Sequence, residues 1–598
     1  MHAVLKNTFG YDKFRPGQEA PIAALLGGEN VFCVMPTGAG KSLIYQVPAL
    51  LGQGVTIVVS PLIALMQDQV SALRLLGAPA EALNSTNSDE DNARIWAGLR
   101  GGSVRIVYMA PERLMNSYTL DALRGLNVKM IAVDEAHCIS QWGASFRPEY
   151  EMLMDLGAHF EGVPIAALTA SADKATRADI ERKLFKGNVR TFVSGFDRPN
   201  ISLTVTPKAS WQNQLRDFVK GRKGESGIVY CLSRKKTETA AQVMRDMGLD
   251  ALSYHAGMPK DARMANQERF IKEDGMVMAA TIAFGMGIDK PDVRFVFHTD
   301  MPSSMEAYYQ EFGRAGRDGL PADAHMLYGM GDVRMRRQFI EQENGDSDSK
   351  RRAHKRLDAL ISFCEAPTCR RQTLLAYFDD KSEPCGNCDL CLNPVELTEG
   401  TQEGRMALSA IVRTGQRFGQ AHIIDILVGA NTERIRTLGH DKLPTWGVGK
   451  HYNKIQWRSI VRQLVAAGFL HLDISEYGGL SLTPQGGELL RGHDSFSFRP
   501  PQLPKSTARA ARKARTKTVS DDLSAESLIV FERLRTLRSQ LARERNVPAY
   551  VVFADKSLLD MADKMPKDLT AMLDVHGVGQ AKLDKFGDAF LAALHEGR

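Results

Sequence analysis

No stretch of the 598 residues approaches the ~20 consecutive apolar residues of a membrane-spanning helix, so an integral membrane protein is not expected. The opening Met1-His2-Ala3-Val4-Leu5-Lys6 lacks the apolar core of a signal peptide, which argues against secretion. Cysteine is scarce: there are eight, of which Cys33, Cys138 and Cys231 are scattered and five crowd between Cys364 and Cys391. Disulfide staples would be spread more evenly, so the pattern points to a reduced, cytosolic protein with one metal site. Strong charge of either sign is also missing, since a formal net charge of +6 favours a polyanionic partner only mildly. What is present, 43% hydrophobic and 24% charged residues, is ordinary for a globular chain. The length exceeds the ~250–300 residues at which single cores stop growing, so several domains are expected.

Up to about Phe196, short apolar runs alternate with longer amphipathic stretches. Val31–Met35, Val55–Val59, Val104–Tyr108, Met130–Val133 and Ile165–Leu168 read as buried parallel strands. Polar groups follow nearly every one, at the strand ends where open α/β sheets bind ligands. The pattern restarts after Asp197-Arg198-Pro199-Asn200 with Gly227–Cys231, Met276–Ala280 and Arg294–His298, and ends near Gly331. Beyond lie a charged helical segment, the cysteine cluster and a mixed region from about Thr401 to His493. Ser495 to Asp521, with Arg509, Arg512, Lys513, Arg515 and Lys517 and no acid among them, reads as a basic flexible linker, and Leu523 to Leu594 as a small helical unit.

Met35-Pro36-Thr37-Gly38-Ala39-Gly40-Lys41-Ser42 follows a strand and precedes apolar Leu43-Ile44-Tyr45, the setting of a Walker A phosphate loop. Thr37, Gly38, Ala39 and Gly40 let backbone N–H groups wrap phosphates at a helix N-terminus. Lys41 neutralises β/γ-phosphate charge and the Ser42 hydroxyl holds Mg²⁺. Met35 stands where the strict pattern has Gly, so this is the Pro-Thr-Gly variant; the bland reading is a glycine-rich turn. At the end of the strand Met130–Val133, Asp134 would anchor Mg²⁺ and Glu135 would polarise the attacking water as general base. Gln18 reads the adenine edge with its amide while Arg15 or Tyr11 stacks on the base. Far downstream, Arg314 and Arg317 lie three apart, so on a helix both face one side and could reach the γ-phosphate as arginine fingers. Gln310 and His137 complete the catalytic candidates. An ATP clamped between two lobes converts hydrolysis into movement, so the first inference is a motor.

Cys369, Cys385, Cys388 and Cys391 form C-x₁₅-C-x₂-C-x₂-C. Four thiolates close a tetrahedral shell, which means a structural rather than a catalytic ion; the spacing suits zinc or an Fe–S cluster. Cys364 reads as a buried thiol, and Arg370 and Arg371 as possible phosphate contacts. Trp142, Phe146, Arg147 and Tyr150 interleave rings and charge just past Glu135. Aromatic stacking on unpaired bases, worth roughly 1–3 kcal/mol per base, suits single-stranded DNA there. The alternative is that the rings fill the lobe interface. Ser60-Pro61-Leu62, Pro111-Glu112-Arg113 and Ser233-Arg234 follow strands on the same edge, where amides and arginine grip phosphates.

These residues, in this order, resemble superfamily 2 helicases of the DEAH-box-like RecQ family. The most specific parts are Phe9-Gly10-Tyr11 with Phe14–Gln18, Asp134–Gly143, Phe146–Tyr150 and Gly285–Lys290. The resemblance implies a multidomain α/β architecture of two RecA-like parallel-sheet lobes (1–200 and 201–334). It also implies a helical zinc-binding subdomain (335–400), a winged helix (401–494), the basic linker (495–521) and a helical HRDC domain (522–598). The implied activity is an ATP-dependent DNA helicase moving 3′→5′ on single-stranded DNA and unwinding duplex or branched DNA in repair and recombination, with ATP, Mg²⁺ and Zn²⁺ as cofactors. The implied setting is the bacterial cytoplasm at the nucleoid, as a monomer, with single-strand-binding protein and other recombination proteins as partners. Zinc is favoured over Fe–S on the same ground. Ile455–Leu464 matches the winged helix's amphipathic basic helix and Leu472–Leu482 its hairpin, turning at Gly478-Gly479 with Tyr477 at the tip; docking of a protein instead of duplex stays open. Tyr550 and Val575-His576-Gly577-Val578-Gly579 mark the HRDC domain, with single-strand binding set against partner binding or packing on the core. Two departures stand out: Ala144-Ser145 where His-Asp is usual, expected to weaken DNA-stimulated hydrolysis, and Phe312 where Thr is usual. A double-strand translocase, an RNA helicase and an inactive scaffold are the competing readings, the last opposed by intact Lys41, Glu135 and Arg317.

Overall fold

Runs such as Val55-Thr56-Ile57-Val58-Val59 offer apolar side chains to both faces, and such strands are stable only where helices cover the sheet on each side. The structure, a computed structural model, describes residues 1–140, 147–170, 172, 174–284, 289–343, 346–394, 396–472, 479–500, 524–545 and 547–596. It opens with a seven-stranded sheet built from β1 (Val31–Val34), β2 (Val55–Val59), β3 (Ala80–Leu83), β4 (Ile106–Met109), β5 (Val128–Val133), β6 (Ile165–Thr169) and β7 (Arg190–Val193). Their order is β3-β4-β2-β5-β6-β1-β7, and every pairing is parallel. β1, β2 and β4 are buried at every position, as both-faced covering requires.

A second parallel sheet follows, from β8 (Ile201–Pro207), β9 (Ser226–Tyr230), β10 (Asp250–Tyr254), β11 (Met276–Ala280), β12 (Val293–His298) and β13 (Ala322–Tyr328), in the order β10-β11-β9-β12-β13-β8. Two α/β lobes are therefore present, as the alternating pattern indicates. Only a short connection separates them: Ser194 to Asn200 runs directly from β7 into β8.

Past the second lobe the chain becomes helical. Met330–Gln342, Ser347–Cys364 and Arg370–Tyr377 lead into the cysteine cluster. In the next unit Lys454–Ala466 buries Trp457, Ile460, Val461 and Leu464 on one face, and begins with a capping box in which Asn453 accepts from the N–H groups of Ile455 and Gln456. A short antiparallel pair, Leu470–Leu472 with Leu480–Leu482, makes the hairpin begin two residues earlier than the sequence suggests; its tip with Tyr477 and Gly478 lies outside the described residues. Arg462 of this unit pairs with Glu365 at 2.7 Å, fastening it to the zinc-binding subdomain. The last unit, from Ala525–Glu544 to Gln580–His595, packs its own core around Leu534, Phe553, Leu558, Met561, Phe586 and Phe590. Among the described residues no helix is long and apolar enough to cross a membrane.

Candidate active site

Between β1 and the helix Leu43–Leu51 the chain turns through Gly38 (φ 82°) and Gly40 (φ 79°), conformations that L side chains rarely adopt. A side chain would also crowd its neighbours. A Cβ on Gly40 would lie 2.6 Å from Gln18 Nε2, and one on Gly38 would lie 3.3 Å from the Cα of Arg317. Gln18 is buried, and its amide nitrogen donates to the carbonyls of Ala39 (2.9 Å) and Gly40 (3.1 Å) while its oxygen accepts from the Arg15 N–H (2.8 Å). Gln18 thereby braces the phosphate loop from the cavity wall, and Arg15 does the same by donating to the Gly38 carbonyl. Lys41 rests on the Met35 carbonyl at 3.3 Å; burial lowers its pKa, and Glu135 and Asp134 oppose that.

β5 delivers the acidic pair. Asp134 accepts at its carboxylate from the Glu135 N–H (2.9 Å), and its carbonyl accepts from the Tyr150 hydroxyl (3.1 Å). Glu135 sits in the left-handed region at φ 50°, a strained conformation for a residue with a side chain. Burial and the neighbouring Glu135 push the Asp134 carboxyl up, with Lys41 acting against them. The Asp134 and Glu135 carboxylates and the hydroxyl of Ser42, the N-cap of the helix Leu43–Leu51, line one cavity and form a donor set of hard oxygens, which fits Mg²⁺. Next to them His137 is buried, which lowers its pKa despite Glu135. Its Nδ1 lies 2.9 Å from the Thr169 hydroxyl and 3.3 Å from a Glu135 carboxylate oxygen. Its Nε2 lies 3.4 Å from the amide nitrogen of Gln310, on the other lobe.

The helix Met305–Phe312 carries Gln310 but ends before the arginines. Arg314 and Arg317 stand on the turn that follows, where Gly316 adopts φ 54°, and not on a helix face as their spacing suggests. Arg317 donates to Asp289 at 2.5 Å, and Nε of Arg314 and of Arg317 is buried without a hydrogen-bond partner. Both arginines line one cavity of about 760 Å³ together with Thr37, Gly38, Gly40, Lys41, Ser42, Asp134, Glu135, His137 and Gln310. Tyr11, Arg15 and Gln18 line the same cavity, as do Lys556 and His576 of the last unit, which sequence reasoning did not place there. The Tyr11 and His576 rings are 5.5 Å apart.

The nucleic-acid candidates divide. Trp142, Phe146 and the departure at Ala144-Ser145 lie outside the described residues. Arg147 donates to the Pro61 carbonyl at 3.2 Å. Ser233 caps a helix, its hydroxyl accepting from the Lys236 N–H, and Arg234 is exposed beside Gly257. Tyr550 is not on an open face: burial raises its pKa, and it lies among Asp68, Asp289, Asp292 and Arg317 at the seam with the lobes. The Gly577 N–H, expected to meet phosphate, donates instead to the Gly10 carbonyl at 3.0 Å.

Cys369, Cys385, Cys388 and Cys391 bring their sulfurs within 4.8 Å of one another, with Cys385–Cys391 at 3.9 Å and Cys369–Cys388 at 4.0 Å. Four thiolates at ~2.3 Å from a tetrahedral Zn²⁺ would stand at nearly these separations, so the cluster fits the ion. Cys364 is a buried thiol outside it. Arg370 and Arg371 do not face phosphate. Both are buried, Arg370 pairing with Asp389 at 2.6 Å, and Arg371 donating to the carbonyls of Arg198 (3.1 Å) and Ile201 (2.5 Å).

Two parallel-sheet lobes that share a cavity lined by a phosphate loop, an acidic pair and two arginines, followed by a four-cysteine cluster, have the build of an ATP-driven motor of the helicase class. Residues 15–180 match the DEAD/DEAH box helicase family and 210–319 the helicase conserved C-terminal domain. Residues 330–392 match RecQ zinc-binding, 394–507 the RQC domain and 527–594 the HRDC domain. The ATP-dependent DNA helicase RecQ of Haemophilus influenzae is 42% identical over 596 residues, covering 99% of this chain and 95% of that protein. Its counterparts from Pasteurella multocida (41%; 99% of this chain and 93% of that protein covered) and Bacillus subtilis (36%; 99% and 98% covered) are similar over nearly all of their length. The chain belongs to the RecQ family and is an ATP-dependent DNA helicase. ATP, Mg²⁺ and structural Zn²⁺ are its cofactors.

Proposed function

We propose that hydrolysis occurs in the cavity between the lobes, with Lys41 and the amides of Thr37 to Gly40 holding the phosphates and Ser42 and Asp134 holding Mg²⁺. When bound, that ion neutralises charge on the phosphate oxygens. Glu135 accepts the proton of the attacking water, with His137 keeping its carboxylate oriented. Arg314 and Arg317 stabilise the charge that develops on the transferred group. One observation carries this reading: residues of the phosphate loop, the acidic pair and the arginine turn, drawn from positions up to 317, line a single cavity. His137 and Gln310 meet across the seam, so lobe movement and the state of Glu135 are tied together.

On the same reading, single-stranded DNA passes along the strand ends of both lobes by way of Trp142, Phe146, Arg147, Ser233 and Arg234, in the 3′→5′ direction. The winged helix holds the duplex ahead of the fork. Tyr550 contacts DNA only when the HRDC domain leaves the lobes. The protein acts as a monomer in the bacterial cytoplasm, at the nucleoid, beside single-strand-binding and recombination proteins, and its domains divide at 200, 334, 400, 494 and 521. Displacement of a labelled strand from 3′-tailed, 5′-tailed and blunt duplexes tests the polarity. Unwinding of the 3′-tailed substrate alone is expected, and equal rates on the 5′-tailed one would reverse the assignment. Lys41→Ala should abolish unwinding and leave DNA binding intact.

A further inference from the structure

Arg198 lies in the short connection between β7 and β8, and its guanidinium reaches both lobes. One nitrogen donates to the Thr37 carbonyl of the phosphate loop (2.5 Å) and to the Gly313 carbonyl (3.1 Å). The other donates to the carbonyls of Ala315 (2.8 Å) and Gly316 (2.9 Å). All four acceptors are main-chain oxygens, and three of them belong to the turn that presents Arg314 and Arg317. A planar fork can satisfy such a set at once, whereas an ammonium on a flexible stem cannot. Burial draws its pKa down to about 10, so it stays charged at neutral pH.

The backbone behind this side chain is held from a third direction. Arg371 of the zinc-binding subdomain donates to the carbonyls of Arg198 and Ile201, and Asn387, between two cysteines of the cluster, donates to the Pro199 carbonyl at 3.0 Å. Asn200 adds two bonds to the turn, at the carbonyls of Gly316 and Leu320, both 2.8 Å, but does not reach the first lobe. The phosphate loop and the turn also touch directly, since a Cβ on Gly38 would crowd Arg317.

We propose that Arg198 is a positioning residue that seats the arginine turn on the phosphate loop. With three acceptors on the second lobe and one on the first, it travels with the turn when the lobes part and gives up only Thr37. Regaining that one carbonyl on closure sets the distance from which Arg314 and Arg317 act. The inference rests on the reading of the cavity given under Proposed function. Arg198 touches no reacting group, so its loss should slow hydrolysis without weakening ATP capture by the first lobe.

The test compares Arg198→Lys and Arg198→Ala with Asn200→Ala in the full-length chain, with Lys41→Ala alongside. Steady-state hydrolysis at saturating single-stranded DNA gives kcat and KM, and a dye pair across the lobes reports closure on a non-hydrolysable ATP analogue. Arg198→Lys, which keeps the charge, carries the test if Arg198→Ala does not fold. The expected result is a kcat lower by about tenfold or more with KM for ATP within about threefold of wild type, the pattern of an interaction made only on the way to the transition state. The closed fraction should fall with it, while Asn200→Ala keeps both. A folded Arg198→Lys protein with wild-type kcat would overturn the inference, as would a raised KM at unchanged kcat. So would equal losses in Asn200→Ala, which would make turn stability the cause. Hydrolysis persisting in Lys41→Ala would instead overturn the underlying assignment of the cavity.

Discussion

Glu135 holds a backbone conformation that costs a residue with a side chain roughly 1–3 kcal/mol, and such strain persists only where surroundings enforce it. Here the Asp134 carboxylate accepts its N–H, and the 3₁₀ turn Ala136–Ile139 follows at once, so the carboxylate is aimed into the cavity beside His137. Glu135→Gln keeps the shape and removes the proton acceptor. Single-turnover hydrolysis should fall by about 10²–10⁴, the usual worth of a general base, while a fluorescent ATP analogue still binds. A rate near wild type would assign the base elsewhere. Ala144 and Ser145 offer neither an imidazole nor a carboxylate where the family usually has both. Ala144→His with Ser145→Asp should raise DNA-stimulated turnover and leave the DNA-free rate unchanged; no rise would remove any role for that departure. At this scale Lys41, Ser42, Asp134 and Glu135 were legible because each sits at a fixed step from an apolar run. Arg198 was not: its acceptor on Thr37 is 161 positions away and is a backbone carbonyl, which every residue possesses.

Strands divide by where they lie in their sheets. Those found as apolar runs, such as Val55–Val59 and Met276–Ala280, are interior strands covered on both faces. Those that escaped are β3, β7, β8 and β10, the four sheet edges, and β13 next to one. An edge strand has a neighbour on one side only and tolerates polar residues, as Arg190-Thr191 and Asp250 illustrate, so its sequence loses the signal. The arginine turn was misread for a related reason: i, i+3 spacing suits a helix, but the glycines at 313 and 316 and the carbonyls claimed by Arg198 and Asn200 end it early. The cysteine cluster, by contrast, was complete in its spacing. It also grips the second lobe's first strand, for the Asn387 carbonyl accepts from the Ser202 hydroxyl and the Asp389 carboxylate accepts from the Val205 N–H. Chelation of the ion should therefore expose four titratable thiols and lower the unfolding temperature of the lobes as well as of the cluster itself, since a bound structural ion contributes directly to folding free energy. Loss of thiol protection with unchanged lobe unfolding would show that the cluster stabilises only its own segment.

Across the whole molecule, the terminal helical unit lines the cavity through Lys556 and His576 and touches both lobes. On the first lobe, glycines interlock: a Cβ on Gly10 would come within 2.7 Å of the Gly579 nitrogen, and Lys585 donates to the Leu75 carbonyl. On the second, Asp274 accepts from Arg538 (3.2 Å) and from the Ser539 hydroxyl (3.0 Å), with Arg535 at 3.8 Å. Arg538 is 2% exposed and is otherwise paired with Asp555 at 2.6 Å. The unit's existence could be read from its own apolar periodicity, but its docking depends on backbone contacts and single carboxylates that no periodicity encodes. A buried charge pair at an interface is costly to break from one side, about 2–5 kcal/mol, because the remaining charge stays out of water. Asp274→Lys goes further by placing like charge against Arg538 and Arg535. The HRDC domain should then leave the lobes, raising the radius of gyration in solution scattering and opening the side of the cavity that Lys556 and His576 line. ATP analogue dissociation should speed up by several-fold, and Tyr550 should become accessible to single-stranded DNA, tightening its binding relative to wild type. The second change separates a cap that merely shields nucleotide from one that also withholds a DNA contact, because only the latter links release of the domain to a gain in DNA affinity.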